Sequence, residues 1–234
     1  MTTGTRLWLL ERFLPSLRRT YTGDVLIVNY NDFGEEDKAE FRLRFSPVII
    51  IDEVSQSNAF PVDRFRVYAE FLGKHLLDYD VIMCLDGNDM VVNDITPLLT
   101  MSEKGFTIFE DGGTWKDDKV MKEDLWHINQ CIPEADWKLV ENRTILQPAS
   151  CGGPIVVMYP LFLMIWDYCK RYCTRFGMDL YAMNIVVRAH HVSYTHIPLS
   201  APHTGSSIDH YGGYEPFKFK AIEESFIRRQ SNRP

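Results

Sequence analysis

The sequence predicts an α/β fold in which helices flank a mostly parallel central sheet. Three continuous apolar runs, at 24–29, 48–51 and 81–85, are bounded by polar turn residues, which is typical of strands covered on both faces. Stretches with helical spacing of apolar residues separate these runs, and alternating strands and helices indicate a parallel sheet. With 234 residues and 45% apolar composition, the chain can form one domain, 1–234, around a sizeable core.

The other elements follow from the same periodicities. Apolar residues three or four positions apart predict helices over 6–19, 61–77, 161–175 and 179–189. Short apolar runs predict further strands over 106–109, 155–158 and 192–197. The charged stretch 218–234 is predicted to be a peripheral helix or tail of the same domain.

Composition excludes several classes of protein. The net charge of -7 and the lack of a long basic run argue against a general nucleic-acid binder. The five cysteines show no paired CxxC spacing, so neither a disulfide framework nor a structural zinc site is indicated. The start of the chain lacks a secretory-signal pattern, and the longest apolar stretch, 154–166, is shorter than the roughly 20 residues that span a bilayer. We therefore expect a cytoplasmic protein without a transmembrane helix.

The strongest chemical motif is the acidic turn Asp86-Gly87-Asn88-Asp89, which closes the third strand. In open α/β sheets, ligands bind beyond the carboxyl ends of the strands, where this turn falls. The glycine permits a sharp turn, so that both carboxylates can face one divalent cation, for which oxygen ligands are preferred. The same residue types are also common in solvated turns without a ligand.

The segment 79–92, which contains this turn, resembles the DxxD metal motif of glycosyltransferases with the GT-A fold. Collagen-modifying, viral and bacterial glycosyltransferases show similar turns, and 93–99 looks like the family's segment where the chain leaves the metal and starts a short helix. The resemblance covers roughly residues 6–217 and implies a Rossmann-like sheet. It also implies a hexosyltransferase that uses Mn²⁺ or Mg²⁺ to move a sugar from a nucleoside diphosphate donor, expected to be a UDP-sugar, to a hydroxyl acceptor.

The resemblance assigns a metal site. Asp86 and Asp89 would bind the cation, and Asp86 would also lie against the donor. The family often adds a histidine after the last core strand, and two residues are candidates here. His203 follows the predicted strand more directly, whereas His210 matches an HxxGxx pattern better.

Further residues are assigned to the donor and the acceptor. Arg64, near the start of the helix before the motif, would contact the diphosphate, although an exposed helix-start arginine is the plain alternative. The segment 177–184 is similar to the family's DQxxxN helix start, so Asp179 would bind the acceptor hydroxyl or take its proton. Leu180 replaces the usual glutamine, which leaves the stereochemical outcome unassigned.

Two other groups of residues would complete the donor site. Gly152 and Gly153 belong to a loop of small residues, 149–154, that in the family approaches the donor sugar. Thr3 and Gly4 would lie near the base, because the first strand of the family ends there. Only residues 1–4 precede the first predicted helix, so this strand is either very short or lacks upstream residues.

Two other functions use the same pattern. The carboxylates could serve a metal-dependent nucleotidyltransferase or phosphohydrolase. The chain could instead be a non-catalytic nucleotide-sugar-binding module, and Leu180 and the short first strand favour this second alternative. The acceptor could be a protein, a glycan or a modified nucleobase, and the acidic charge weighs against the last.

Overall fold

The computed structural model describes residues 1–3, 9–30, 32–54, 60–76, 78–87, 89–91, 93–116, 131–173, 178–199 and 208–209. The strands within these ranges are β1 Thr2–Thr3, β2 Val25–Asn29, β3 Val48–Asp52, β4 Val81–Met83, β5 Leu85–Asp86, β6 Met90–Val91, β7 Thr107–Thr114, β8 Thr144–Pro154, β9 Thr195–Leu199 and β10 Ile208–Asp209. A π-helical turn at Leu9–Phe13 leads into the first α-helix. The α-helices are α1 Leu14–Leu17, α2 Glu35–Phe45, α3 Phe60–Lys74, α4 Thr96–Glu103, α5 Glu134–Trp137, α6 Ile155–Tyr172 and α7 Met178–Ala189.

The first sheet is parallel and has the strand order β3-β2-β1-β5. All five residues of β2 are buried, as expected for a strand that is covered on both faces. β1 pairs with β2 on one side and with β5 on the other, so that Thr3 lies beside both Val28 and Asp86. The carboxyl ends of these strands therefore meet at one edge of the sheet.

The second sheet has the order β4-β8-β7-β9 and is mostly antiparallel. β8 runs antiparallel to both β4 and β7, while β7 and β9 are parallel. A separate two-stranded antiparallel ribbon joins β10 and β6.

One extended segment connects the two main sheets. β4 ends at Met83 and β5 begins at Leu85, with Cys84 between them. The Cys84 amide donates a hydrogen bond to the carbonyl of Cys151 at 2.8 Å, and the Leu85 amide donates to the carbonyl of Met1 at 2.9 Å. Segment 81–86 thus has the second sheet on one side and the first sheet on the other.

Two clusters of buried apolar side chains form the core. The larger cluster includes the contacts of α3 with α6, where the ring centroids of Phe65 and Tyr68 lie 5.7 Å and 5.6 Å from that of Phe162. The smaller cluster contains Phe13 of the π-helical turn, Phe41 of α2, and further residues of α1, α2, α4 and the first sheet. Burial of each such ring contributes on the order of 1.5–3 kcal/mol relative to exposure, and this packing fixes α3 against α6.

The α/β class is confirmed, but the strands pair in both parallel and antiparallel directions. A parallel sheet of four strands lies beside a mostly antiparallel one, so the expected single, mostly parallel sheet is met only in part. The antiparallel direction of β8 depends on long-range pairing, which local periodicity does not reveal.

The predicted strand at 155–158 is wrong, because these residues begin α6 and the strand is β8, which ends at Pro154. The run 154–166 is apolar nearly throughout, so its period does not separate a strand from a buried helix. Proline is favoured at the start of a helix because its missing amide is not needed there, and the helix begins directly after Pro154.

Several other predictions can be compared with the described residues. The expected helix at 6–19 is present at 9–17 as the π-helical turn followed by α1, and 6–8 lie outside the described residues. The peripheral segment 218–234 also lies outside them. Among the described residues, no helix combines the length and the apolar character that a bilayer span requires.

Candidate functional site

Polar residues end the strands of the parallel sheet at its carboxyl edge. Asp86 ends β5, Thr3 ends β1 beside it, and Asn29 and Asp52 end β2 and β3 opposite each other. This is the edge at which ligands bind in open α/β sheets. The acidic turn and Thr3, which the sequence predicted as parts of one site, are therefore neighbours, whereas Gly4 lies outside the described residues.

Arg64 connects Asp86 to Asp179 in the centre of this site. Its Nη1 donates a hydrogen bond to Oδ1 of Asp86 at 3.0 Å, and its Nη2 donates to Oδ2 of Asp179. Arg64 lies on α3 and Asp179 in the first turn of α7, and their exposed fractions are only 7% and 4%. Three residues predicted separately from the sequence are thus joined by one guanidinium group.

The electrostatics of this ion pair keep Arg64 charged. Burial opposes the charged form, but the carboxylates of Asp179 and Asp86 more than offset it, so that the pKa of Arg64 lies above its ordinary value. The Nε of Arg64 is buried and has no hydrogen-bond partner among the described residues. The guanidinium therefore has one buried donor without an acceptor in the described part of the chain.

Asp89 organises the acidic turn itself. Its carboxylate is fully buried, and its Oδ2 accepts a hydrogen bond from the Asp86 amide at 2.8 Å. In return, the Asp89 amide donates to the carbonyl of Asp86 at 3.0 Å. These two bonds hold the turn closed after β5, so Asp89 has a structural role in addition to the ligand role expected from the sequence. Asn88 lies outside the described residues.

The chemistry of the donor set fits Mn²⁺ or Mg²⁺. Asp86 and Asp89 offer carboxylate oxygens, the ligands that these cations prefer, and the side chain of Asp86 is 27% exposed and thus accessible. Within the part of the chain that the structure describes, no group of three or more histidine, cysteine or acidic side chains is placed to hold a metal. Both candidates for the third ligand, His203 and His210, lie outside that part, so the metal site stays a prediction.

Gly152 and Gly153 lie within β8, where they are paired with neighbouring strands. A Cβ atom at Gly152 would lie 2.7 Å from Oγ of Ser102 on α4, and one at Gly153 would lie 3.3 Å from Sδ of Met158 on α6. Both distances are shorter than ordinary van der Waals contacts. Close packing of helices on β8 explains why these residues are glycines, and a contact with the donor sugar stays a prediction.

The sequence singled out neither Asn29 nor the pair of cysteines next to the site. Asn29 is buried, and its Nδ2 donates a hydrogen bond to Oδ1 of Asp52 at 2.8 Å. Like Asp86, Asn29 is a polar residue at the end of an apolar strand, and this pattern could have identified it. Cys84 and Cys151 face each other across strands and are buried. Burial raises the pKa of the Cys84 thiol, but a hydrogen bond with Cys151 and the nearby charges of the amino terminus and Arg64 outweigh this, and the pKa is lowered overall.

Comparison with known proteins does not identify a family. No family model matches the chain, and no curated protein matches it either.

Proposed function

We propose that this protein is a metal-dependent glycosyltransferase that moves a sugar from a nucleoside diphosphate sugar, a UDP-sugar in the first instance, to a hydroxyl group. The observation that carries the proposal is the Arg64 guanidinium, which bridges Asp86 and Asp179 at the carboxyl edge of the parallel sheet. A buried cation next to a partly exposed carboxylate suits a ligand that carries both negative charge and a metal ion.

Arg64 would bind the diphosphate of the donor. Its planar group offers several donors and stays charged in the buried site, so it suits phosphate oxygens and the charge that develops on the leaving group. The hydrogen bonds to Asp86 and Asp179 orient the side chain, and the packing of Phe65 against Phe162 fixes the helix that carries it. The diphosphate would thus meet an arginine that is already oriented.

Asp179 would orient the acceptor hydroxyl or take its proton. The side chain is held by Arg64 in the first turn of α7, where a carboxylate is also favoured by the helix dipole. A positioned carboxylate that accepts a proton typically contributes about 10²–10⁴-fold to a rate.

Asp86 and Asp89, with His203 or His210, would hold Mn²⁺ or Mg²⁺. When bound, the cation would neutralise negative charge on the departing nucleoside diphosphate. Thr3, which lies beside Asp86, and Gly4 would be near the base. Gly152 and Gly153 belong to β8, in which the preceding residue, Cys151, accepts a hydrogen bond from the Cys84 amide.

The arrangement of strands supports a GT-A-type sheet. The parallel order β3-β2-β1-β5 continues through segment 81–86 into β8, β7 and β9. Since β4 and β7 are both antiparallel to β8, they run in the same direction as each other. A single sheet in which β8 is the reversed strand would place the acidic turn at its centre.

A screen of donors tests the proposal. Thermal unfolding is measured with UDP-, GDP- and CDP-sugars, each with and without Mn²⁺, because a ligand of the native state raises its apparent stability. We expect one nucleoside diphosphate sugar to raise the Tm only when Mn²⁺ is present, and Arg64→Met to reduce this shift. If none of the donors raises the Tm, the proposal is contradicted. Fractionation of cells tests the expected cytoplasmic location separately.

A further inference from the structure

Arg64 is hydrogen-bonded to the Asp86 carboxylate, which is also a predicted ligand of the metal ion. Its Nη1 is 3.0 Å from Oδ1 of Asp86, and a divalent cation bound to the same carboxylate would lie within a few ångströms of the guanidinium. Like charges at that separation repel strongly in a site shielded from water. With Arg64 bonded to Asp86, the site is therefore in a form in which arginine takes the place of the cation.

We infer that Arg64 is an internal counter-ion of the unliganded site, which gives up Asp86 when a divalent cation binds there and keeps Asp179. The inference rests on the metal site of the proposed function and adds that Arg64 and the cation compete for one carboxylate.

The two carboxylates differ in a way that decides which one is released. Asp179 is 4% exposed, and a buried carboxylate that loses its partner is strongly destabilised. The side chain of Asp86 is 27% exposed, so it can exchange one cation for another at a lower cost. Arg64 should consequently remain with Asp179 during the exchange.

The exchange also prepares Arg64 for an anion. Nη1 loses its acceptor when Asp86 binds the cation. The freed donor would then be available to an oxygen of a phosphate, to which arginine forms charge-assisted hydrogen bonds. Binding of the cation should thus precede or accompany binding of the diphosphate.

Variants of the ion pair test the competition in opposite directions. Arg64→Met removes the competing charge and should tighten Mn²⁺ binding by about tenfold or more. Arg64→Lys keeps a positive charge and should bind Mn²⁺ much as the wild type does. Asp179→Asn leaves Asp86 as the remaining charged partner of Arg64 and should weaken Mn²⁺ binding.

Two further variants guard against trivial effects. The double variant Arg64→Met with Asp179→Asn removes both charges of the buried pair, so it should fold and still bind Mn²⁺ more tightly than the wild type. Arg44→Gln removes an exposed arginine that is paired with Glu40 on α2, and it controls for the change in net charge without touching the site.

The measurement is calorimetric titration of the full chain with Mn²⁺ in the absence of nucleotide. Tighter binding by Arg64→Met and the double variant, with Arg44→Gln unchanged, is the expected result. Equal or weaker binding by both Arg64→Met proteins would overturn the competition while leaving the metal site in place. Mn²⁺ binding by none of the proteins would remove the cation from the proposed function as well.

Discussion

The guanidinium of Arg64 is hydrogen-bonded to the carboxylate of Asp179, which lies 115 positions later in the chain. The bond ties α3 to the first turn of α7 at the point where Asp86 ends β5. Because both side chains are buried, the pair is an element of the fold and of the candidate site at the same time.

Breaking this pair from one side should destabilise the protein. Arg64→Met leaves the Asp179 carboxylate buried without its partner, and such changes cost about 3–5 kcal/mol. Urea unfolding followed by circular dichroism measures the loss, and Arg44→Gln, which removes an exposed ion pair, should change the free energy of unfolding by less than about 1 kcal/mol. Adding Asp179→Asn to Arg64→Met should restore part of the loss, and a double variant that is less stable than Arg64→Met would contradict this account.

At saturating Mn²⁺, Asp179→Asn should reduce turnover while leaving the donor bound. Asparagine retains an oxygen that can accept the bond from Arg64 but does not take a proton from an acceptor, so kcat should fall about 10²-fold or more. KM for the donor is compared with kcat under the same conditions. A variant that loses donor affinity but retains kcat would show that Asp179 belongs to the donor site instead.

The two roles of Asp89 can be separated by two substitutions. Asp89→Asn keeps an acceptor for the Asp86 amide, so the turn should stay folded while Mn²⁺ binding is lost. Asp89→Ala removes that acceptor and should cost a further 1–3 kcal/mol, as an order-of-magnitude estimate for a buried donor left without a partner. The assignment of Asp89 as a ligand fails if Asp89→Asn binds Mn²⁺ as tightly as the wild type does.

Much of the fold could be predicted because buried parallel strands leave a clear pattern. β2 and β3 fall close to where continuous apolar runs predict them, and the end of β5 at Asp86 could be found from the polar residues that follow such a run. The strand predicted at 155–158 lies instead in the first turns of α6, because an apolar run has no distinguishing period. The direction of β8 depends on residues that are distant in sequence.

Several residues of the candidate site can be proposed one by one from the sequence, but their arrangement cannot. The resemblance assigns Arg64 and Asp179 separately, and nothing in the sequence shows that one guanidinium bridges Asp179 and Asp86. The packing of Gly152 against Ser102 is likewise a contact between β8 and α4 that appears only in three dimensions.

Gly152→Ala should therefore destabilise the protein, and a second change should rescue it. The added methyl would lie 2.7 Å from Oγ of Ser102, and such overpacking typically costs about 1–3 kcal/mol. Ser102→Ala removes that oxygen, which is buried without a hydrogen-bond partner among the described residues, so the double variant should recover most of the loss.

Gly113→Ala is the matched control in thermal unfolding, because no atom lies within 4 Å of the position its Cβ would take. We expect its stability to equal that of the wild type. An equal loss in Gly113→Ala and Gly152→Ala would show that the loss does not come from the contact with Ser102.

The central claim, that Asp86 serves a metal-dependent sugar transfer, is tested most directly by the products of donor turnover. The wild type and Asp86→Asn are incubated with Mn²⁺ and the nucleoside diphosphate sugar found in the donor screen, and water serves as the hydroxyl acceptor that takes the sugar. The released nucleotide is separated by anion-exchange chromatography. We predict that the wild type releases nucleoside diphosphate only with the metal, and that Asp86→Asn, with its fold intact, releases at least about 10²-fold less. Release of nucleoside monophosphate, or equal release by Asp86→Asn, would contradict the claim.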